Sequence, residues 1–275
     1  MTGNRRQFAG VLSMVVLVGM GEHMAERFLP LYLQRLTFGT TGIFAIGALA
    51  FLDDFLSALY SFPGGYLSDR LGHKRALLVF NLISMAGYLI VIFVRHWSAV
   101  LVGAALFISW SAISLPAMME LIATLVPKQK RALGVSLHSL VRRIPKMLGP
   151  VLGGAFIAWW GVETGVRYAF VAALALAGLA IALQQKLIDD DGGGNENADH
   201  NPFRLWRLLS PDLRNLLVSD ILIRFCERIP DAFVVIWCTR QVGRPVTEFQ
   251  FGWLSAIEQL TAVLCYLPVA HYADR

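Results

Sequence analysis

The chain has 275 residues, of which 56% are hydrophobic and only 16% are charged. Soluble domains average about 45–50% apolar and about 25% charged residues, so this composition excludes an ordinary soluble domain and predicts an integral membrane protein. The net charge of +5 does not indicate nucleic-acid binding, because the basic residues lie mostly in short loops between apolar stretches, where they set membrane topology.

Eight apolar stretches are each long enough to cross a bilayer, which takes about 20 mostly apolar helical residues. In chain order we number them spans 1 to 8, predicted over roughly 8–33, 42–67, 75–94, 98–126, 134–160, 166–185, 214–239 and 248–272. The loops after spans 2, 4 and 6 are the more basic ones, and such loops face the cytoplasm. We therefore expect a multi-pass protein of the cell membrane with its N-terminus in the cytoplasm.

An acidic, glycine-rich stretch at 189–199 separates span 6 from span 7. It cannot bury apolar surface, so it predicts a flexible linker. The predicted fold class is an all-α, polytopic membrane protein. Its predicted parts are a six-helix transmembrane half at 1–185, a cytoplasmic linker at 186–213, and the first two helices of a second, repeated bundle at 214–275.

The second part of the chain repeats two patterns of the first. Glu26-Arg27 in span 1 returns as Glu227-Arg228 in span 7. Pro63 with Asp69-Arg70 returns, at the same distance, as Pro268 with Asp274-Arg275. The order and the similar spacing predict two parallel copies of one helical bundle.

The connection between spans 2 and 3 reads G-x-x-x-D-R-x-G-x-K-R from Gly65 to Arg75. It resembles the signature loop between helices 2 and 3 of the major facilitator superfamily of secondary transporters. The resemblance implies two six-helix halves that rock around a central cavity, with this loop as the inner gate. Since a full member has twelve helices, we expect this chain to be truncated after the eighth. The implied gate residues are Gly65, Asp69, Arg70, Gly72, Lys74 and Arg75.

Span 5 carries a second motif, G-P-x-x-G-G, which resembles the helix-5 signature of the proton-coupled efflux branch of the same superfamily. In this motif Gly149 and Gly153 would allow close backbone approach, and Pro150 would kink the helix. That branch also carries an arginine in helix 4, where this chain has Ala104, so the resemblance lacks the residue expected to relay protons. The motif residues are Pro145, Gly149, Pro150, Gly153 and Gly154.

Ionisable residues at bilayer depth are costly and often mark substrate or ion pathways. Asp53 and Asp54 point about 100° apart on a helix, so they cannot both face one partner. Span 5 brings a cluster of cations, and we expect Glu120 and Glu258 to pair with some of them and the rest to line water. The Glu-Arg dipeptides could instead be neutral pairs that hold helices together. The predicted cavity and coupling residues are Glu22, Glu26, Arg27, Asp53, Asp54, Glu120, Arg142, Arg143, Lys146, Arg224, Glu227, Arg228 and Glu258.

The sequence and the resemblance together predict transport of a small solute by alternating access. The first candidate is proton-coupled efflux of a drug-like or metabolic molecule. Uptake or exchange of an anion held by Arg142, Arg143 and Lys146 is the second candidate. A non-transporting membrane sensor or assembly subunit is the candidate from another class. The chain holds no motif of a hydrolase or metalloenzyme, so we expect no enzyme activity, cofactor, metal or nucleic-acid partner. The expected partners are a small molecule, protons and the lipid bilayer.

Overall fold

The computed structural model describes residues 2–37, 39–108, 110–125, 138–188, 210–228 and 231–273. The regular elements in these ranges are helical, which confirms the predicted all-α, polytopic fold class. They are α1 (Thr2–Glu26), α2 (Leu29–Leu36), α3 (Thr40–Leu71), α4 (His73–Phe93), α5 (Trp97–Phe107), α6 (Trp110–Leu125), α7 (Arg143–Leu187), α8 (Pro211–Arg228), α9 (Asp231–Ile236), a π-helical turn (Trp237–Gln241) and α10 (Glu248–Ala273).

Span 1 was expected to be one helix, and this is wrong, because α1 ends at Glu26 and α2 begins at Leu29. Pro30 lies in the first turn of α2. Proline has no N–H and its ring crowds the preceding turn, so it fits the start of a helix but not its interior. In the second copy of the repeat, the described residues of α8 extend to Arg228 and those of α9 begin at Asp231.

The connection between α3 and α4 is a single residue, Gly72, rather than the longer loop predicted from the sequence. The helix α3 continues through Asp69 and Arg70 to Leu71, and α4 begins at His73. Gly72 has φ 82° and ψ 152°, a backbone conformation that is essentially open only to glycine. The chain can turn this sharply because Gly72 carries no Cβ.

The long helix α7 contains a reversal that separates the predicted spans 5 and 6. Helical dihedral angles are interrupted at Gly161, with φ 77° and ψ 169°, whereas the predicted kink position, Pro150, lies within the helical run. A Cβ on Gly165 would lie only 2.6 Å from the Cα of Ile157, although eight residues span about 12 Å along a straight helix. Residues 143–160 and 162–187 are thus two arms that double back on each other, and we call them the first and second arms of α7.

The bundle is built on the packing of α1 and α10 against α7, of α3 against α6, and of α4 against α5 and α7. Its aromatic centre joins Tyr88, Phe107 and Phe170, with ring centroids 5.2–5.7 Å apart. Large apolar side chains such as Phe93 and Trp159 are exposed on the outside of the bundle, as a lipid-facing surface requires.

Four helical stretches within the described residues are long and apolar enough to cross a membrane: Arg6–Glu26, Thr40–Ser57, His73–Phe93 and His138–Leu187. The last one is 50 residues long and contains both arms of α7. These stretches cover spans 1, 2, 3, 5 and 6. The other three predicted spans fall on α5 with α6, on α8 with α9, and on α10.

Candidate functional site

The last turns of α1 and the residue that follows it, Arg27, hold a group of ionisable side chains with specific partners. Glu22 is buried, and Nδ1 of His23 lies 2.6 Å from Oε2 of Glu26. Nη2 of Arg27 lies 3.1 Å from Oε2 of Glu258 on α10. Because α1 and α10 belong to the two predicted halves, the Arg27–Glu258 ion pair connects the first half with the beginning of the second.

A pocket of about 510 Å³ opens beside this ion pair, and we call it the α1–α3 pocket. Asp53 lines it and accepts a hydrogen bond from the Ser57 hydroxyl at 3.5 Å. Asp54 is not among its lining residues, as expected from the offset of about 100° between neighbours on a helix. Two carboxyl groups and one guanidinium therefore share this pocket. Its lining residues are Glu26, Arg27, Pro30, Leu49, Ala50, Asp53, Ile108 and Ala232.

A second pocket, of about 340 Å³, lies on another side of α1, and we call it the α1–α6 pocket. Trp110 and His138 are 4% and 1% exposed. Nε1 of Trp110 and Nδ1 of His138 are buried and have no hydrogen-bond partner within the described part of the chain. The lining residues are Val15, Gly19, His23, Trp110, Ser114, Leu115, Met118, His138, Arg142 and Pro145.

The contact between His23 and Glu26 connects the two pockets. His23 lines the α1–α6 pocket, Glu26 lines the α1–α3 pocket, and the two side chains meet at 2.6 Å. A change of charge or protonation in one pocket can therefore affect the side chains of the other pocket through the hydrogen-bonded pair of His23 and Glu26.

The helix-5 motif lies in the first arm of α7, between α1 and α10. A Cβ on Gly149 would come within 2.8 Å of the His23 Cβ, and one on Gly153 would overlap the carbonyl oxygen of Met24. On the other side, a Cβ on Gly154 would lie 2.6 Å from the backbone carbonyl oxygen of Glu248. The missing side chains thus let one helix approach both α1 and α10 at backbone distance.

The gate motif is attached to the end of the second arm of α7. Gln184 donates a hydrogen bond to the carbonyl oxygen of Lys74 at 2.7 Å, and the Lys74 ammonium donates to the carbonyl oxygen of Gln185 at 3.3 Å. Arg70 donates to the Tyr66 hydroxyl at 3.1 Å. The remaining motif positions lie at the end of α3 (Gly65, Asp69), at the turn (Gly72) and at the start of α4 (Arg75).

The expected partners of the span 5 cations are corrected by the structure. Glu120 pairs with His73 at 3.1 Å, and Glu258 pairs with Arg27. Glu120 follows the pocket-lining Met118 by two residues, which places it about 200° around α6 and away from that pocket. Arg142 lines the α1–α6 pocket. Its neighbours Arg143 and Lys146 are not among the lining residues and make other polar or electrostatic interactions.

The structure leaves part of the predicted site undescribed. Positions 69, 224, 227 and 228 lie on helices, but the side chains of Asp69, Arg224, Glu227 and Arg228 lie outside the described residues. Residues 189–209 of the linker predicted over 186–213 also lie outside them.

Sequence reasoning gave no role to Trp110, and it did not foresee His73 as the partner of Glu120. One available signal was the spacing of Trp110 and Ser114, which at i and i+4 share a helix face.

Comparisons with known proteins agree with this architecture. The family model described as Major Facilitator Superfamily matches residues 11–275. The chain is 33% identical over 153 residues to "Multidrug resistance protein MdtG" of Klebsiella pneumoniae (strain 342), an alignment that covers 54% of this chain and 36% of the relative. The aligned part therefore spans about a third of that relative's length.

Several solved transporters share the fold. A bacterial homologue of the human lysosomal transporter Spinster, inward-facing and occupied, has a TM-score of 0.69 at 14% identity, over 96% of this chain and 61% of its own. A peptide transporter, POT, in complex with sulfate has a TM-score of 0.68 at 12% identity, over 98% of this chain and 68% of its own. A D-xylose-proton symporter has a TM-score of 0.63 at 13% identity, over 96% of this chain and 69% of its own.

Proposed function

Because this chain belongs to the Major Facilitator Superfamily, we propose that it is a multi-pass membrane transporter of small molecules rather than an enzyme, and that it exports a drug-like or metabolic solute across the cell membrane in exchange for protons. The relative from Klebsiella pneumoniae is named as a multidrug resistance protein, which favours efflux. The glycine-rich packing of the first arm of α7 against α1 and α10 fits the motif of the proton-coupled efflux branch.

The observation that carries the proposal is the Arg27–Glu258 ion pair beside the α1–α3 pocket. In alternating access the two halves rock against each other around a fixed site. An ion pair between α1 and α10 forms in one arrangement of the halves and breaks in another. Protonation of a carboxyl group next to the pair changes its electrostatic balance and so couples proton movement to the rocking motion.

Asp53 is the carboxyl group that we assign to this coupling step. It faces the same pocket as Arg27 and Glu26. When Asp53 is ionised it competes with Glu258 for the guanidinium, and when it is protonated this competition ends. Proton binding at Asp53 therefore strengthens the Arg27–Glu258 pair, and proton release weakens it.

The proposed orientation puts the N-terminus and the gate motif on the cytoplasmic side, following the basic loops. A cysteine placed at position 195 in a background without Cys226, Cys238 and Cys265 tests it. We expect an impermeant maleimide to label this cysteine only after the cells are permeabilised. Labelling of intact cells would overturn the orientation.

The coupling is tested in inverted membrane vesicles that contain the protein, with ethidium as the drug-like probe. An acidic vesicle interior should drive ethidium uptake, and collapse of the pH gradient should stop it. Asp53→Asn should remove the dependence on the gradient. Asp54→Asn, which changes a neighbour outside the α1–α3 pocket, should retain it. Equal uptake with and without the gradient would exclude proton coupling, and uptake equal to that of empty vesicles would exclude this transport activity.

A further inference from the structure

We propose that the α1–α6 pocket binds the carboxylate of a small, largely apolar organic acid, with Trp110, His138 and Arg142 as its donors. This inference rests on the proposed transport function and names organic acids as a further ligand class beside the drug-like solutes for which ethidium is the probe.

Two unsatisfied polar atoms in the pocket wall point to a ligand. Nε1 of Trp110 and Nδ1 of His138 are buried without a hydrogen-bond partner among the described residues, and both side chains line the pocket. An unpaired buried polar atom carries a free-energy cost. A ligand that supplies acceptor oxygens removes this cost, and the indole N–H can only donate.

The charge of the pocket selects an anion. Arg142 brings a guanidinium to the lining, and the described lining residues include no carboxylate, although Glu26 contacts the lining residue His23 from outside the pocket. Arg142 has no ion-pair or hydrogen-bond partner for its side chain among the described residues. A guanidinium binds the two oxygens of a carboxylate with two parallel hydrogen bonds, so this group matches both the charge and the donor geometry.

The rest of the lining selects an apolar body for the ligand. Val15, Leu115, Met118 and Pro145 line the same pocket. A small aromatic or aliphatic acid places its carboxylate at Arg142 and its hydrocarbon body against these side chains.

The pocket is also positioned to communicate with the coupling site. His23 lines it and contacts Glu26 at 2.6 Å. A carboxylate that enters the pocket draws His23 toward the ligand and loosens its contact with Glu26. Binding of the substrate and binding of a proton would then compete, because both act on His23.

The test uses benzoate as the probe and benzamide as its neutral counterpart of nearly the same shape. Isothermal titration calorimetry on the purified protein should detect benzoate binding and no comparable benzamide binding. Trp110→Phe removes the N–H and keeps a ring, and Arg142→Gln removes the charge. Since a hydrogen bond to a charged group is worth about a 10-fold to 100-fold change in affinity, each change should weaken benzoate binding by about 10-fold or more.

Matched controls separate this effect from general damage. Trp159→Phe changes an exposed tryptophan and Arg95→Gln changes an exposed arginine that pairs with Glu163, so both should bind benzoate like the unchanged protein. Arg142→Lys, which keeps the charge and loses the paired donors, should bind more weakly than the unchanged protein and more tightly than Arg142→Gln. Thermal unfolding confirms that each variant is folded.

Three results would overturn the carboxylate site: no benzoate binding at millimolar concentration, equal binding of benzoate and benzamide, or unchanged binding in both Trp110→Phe and Arg142→Gln. Ethidium transport that persists in any of these cases would leave the proposed transport function standing. Benzoate binding without gradient-driven ethidium transport would instead contradict the transport proposal and keep the site.

Discussion

Gly72 shows how one residue sets the geometry of the gate motif. The turn between α3 and α4 consists of this residue alone, in a conformation with φ 82° and ψ 152°. Apart from its two chain neighbours, no described residue has an atom within 4 Å of the place where a Cβ would be. The requirement for glycine at this position is therefore one of backbone conformation and not of space.

We predict that Gly72→Ala lowers the free energy of unfolding by about 1–3 kcal/mol, the cost of holding a non-glycine residue in such a conformation. The control is Gly178→Ala in the second arm of α7, where the Cβ also meets open space and φ is not positive. That change should be neutral, or stabilising by about 0.4–1 kcal/mol. Thermal unfolding followed by intrinsic fluorescence compares the two. Equal effects of the two changes would mean that Gly72 is not strained.

The first arm of α7 is the element on which the site depends most. It approaches α1 through Gly149 and Gly153 and α10 through Gly154, all at backbone distance. The same arm brings Arg142 and Pro145 to the α1–α6 pocket. One helix therefore makes the close contacts with α1 and α10 and also lines the α1–α6 pocket. A change in its distance from α1 must change both the packing and the pocket.

We predict that Gly153→Ala destabilises the protein by about 1–3 kcal/mol, because the new methyl group overpacks the interface at the Met24 carbonyl oxygen. Gly47→Ala on α3, where a Cβ has no neighbour within 4 Å, should have little effect. The thermal midpoint in detergent is the measurement. If Gly153→Ala unfolds at the same temperature as Gly47→Ala, then α1 and the first arm of α7 are not in close contact.

At the scale of the whole molecule, the Arg27–Glu258 pair is a polar link between the first half and α10. The Glu258 side chain is 57% exposed, and ion pairs of this kind stabilise a fold by only about 0.2–1 kcal/mol. Its importance should therefore appear in transport and hardly at all in stability.

We predict that Arg27→Glu or Glu258→Arg alone strongly reduces gradient-driven ethidium uptake, because each replaces an ion pair with two like charges at the same place. The double reversal should restore a large part of the uptake, with yield nearly constant throughout. The control is the Arg240–Glu248 pair, at 2.9 Å and within the second half, whose reversal should leave uptake unchanged. Two single reversals without effect on uptake would remove the pair from the mechanism.

The parts of the site that could be predicted from sequence were those decided by local patterns. Gly149 and Gly153 are one turn apart on a helix, so a groove between them followed from spacing alone. The sequence predicted that Asp53 and Asp54 do not both face one partner, because neighbours on a helix point about 100° apart. Helix periodicity alone does not show which of the two side chains faces the pocket. The partners of Glu120 and Glu258 were wrong in the sequence analysis, since pairing depends on which helices are neighbours and at what depth.

The sequence by itself determined that this is a helical membrane protein of a transporter family, because apolar length and the Gly65–Arg75 motif are properties of the chain alone. The sequence also contains Pro30 and Gly161, the residues at which helices are interrupted. Only the fold shows these interruptions. The tertiary structure decided the Arg27–Glu258 ion pair, the two pockets beside α1, and the nitrogens of Trp110 and His138 that have no partner among the described residues. These features join residues far apart in the chain, and only the packing of α1, α6, α7 and α10 sets the distances between them.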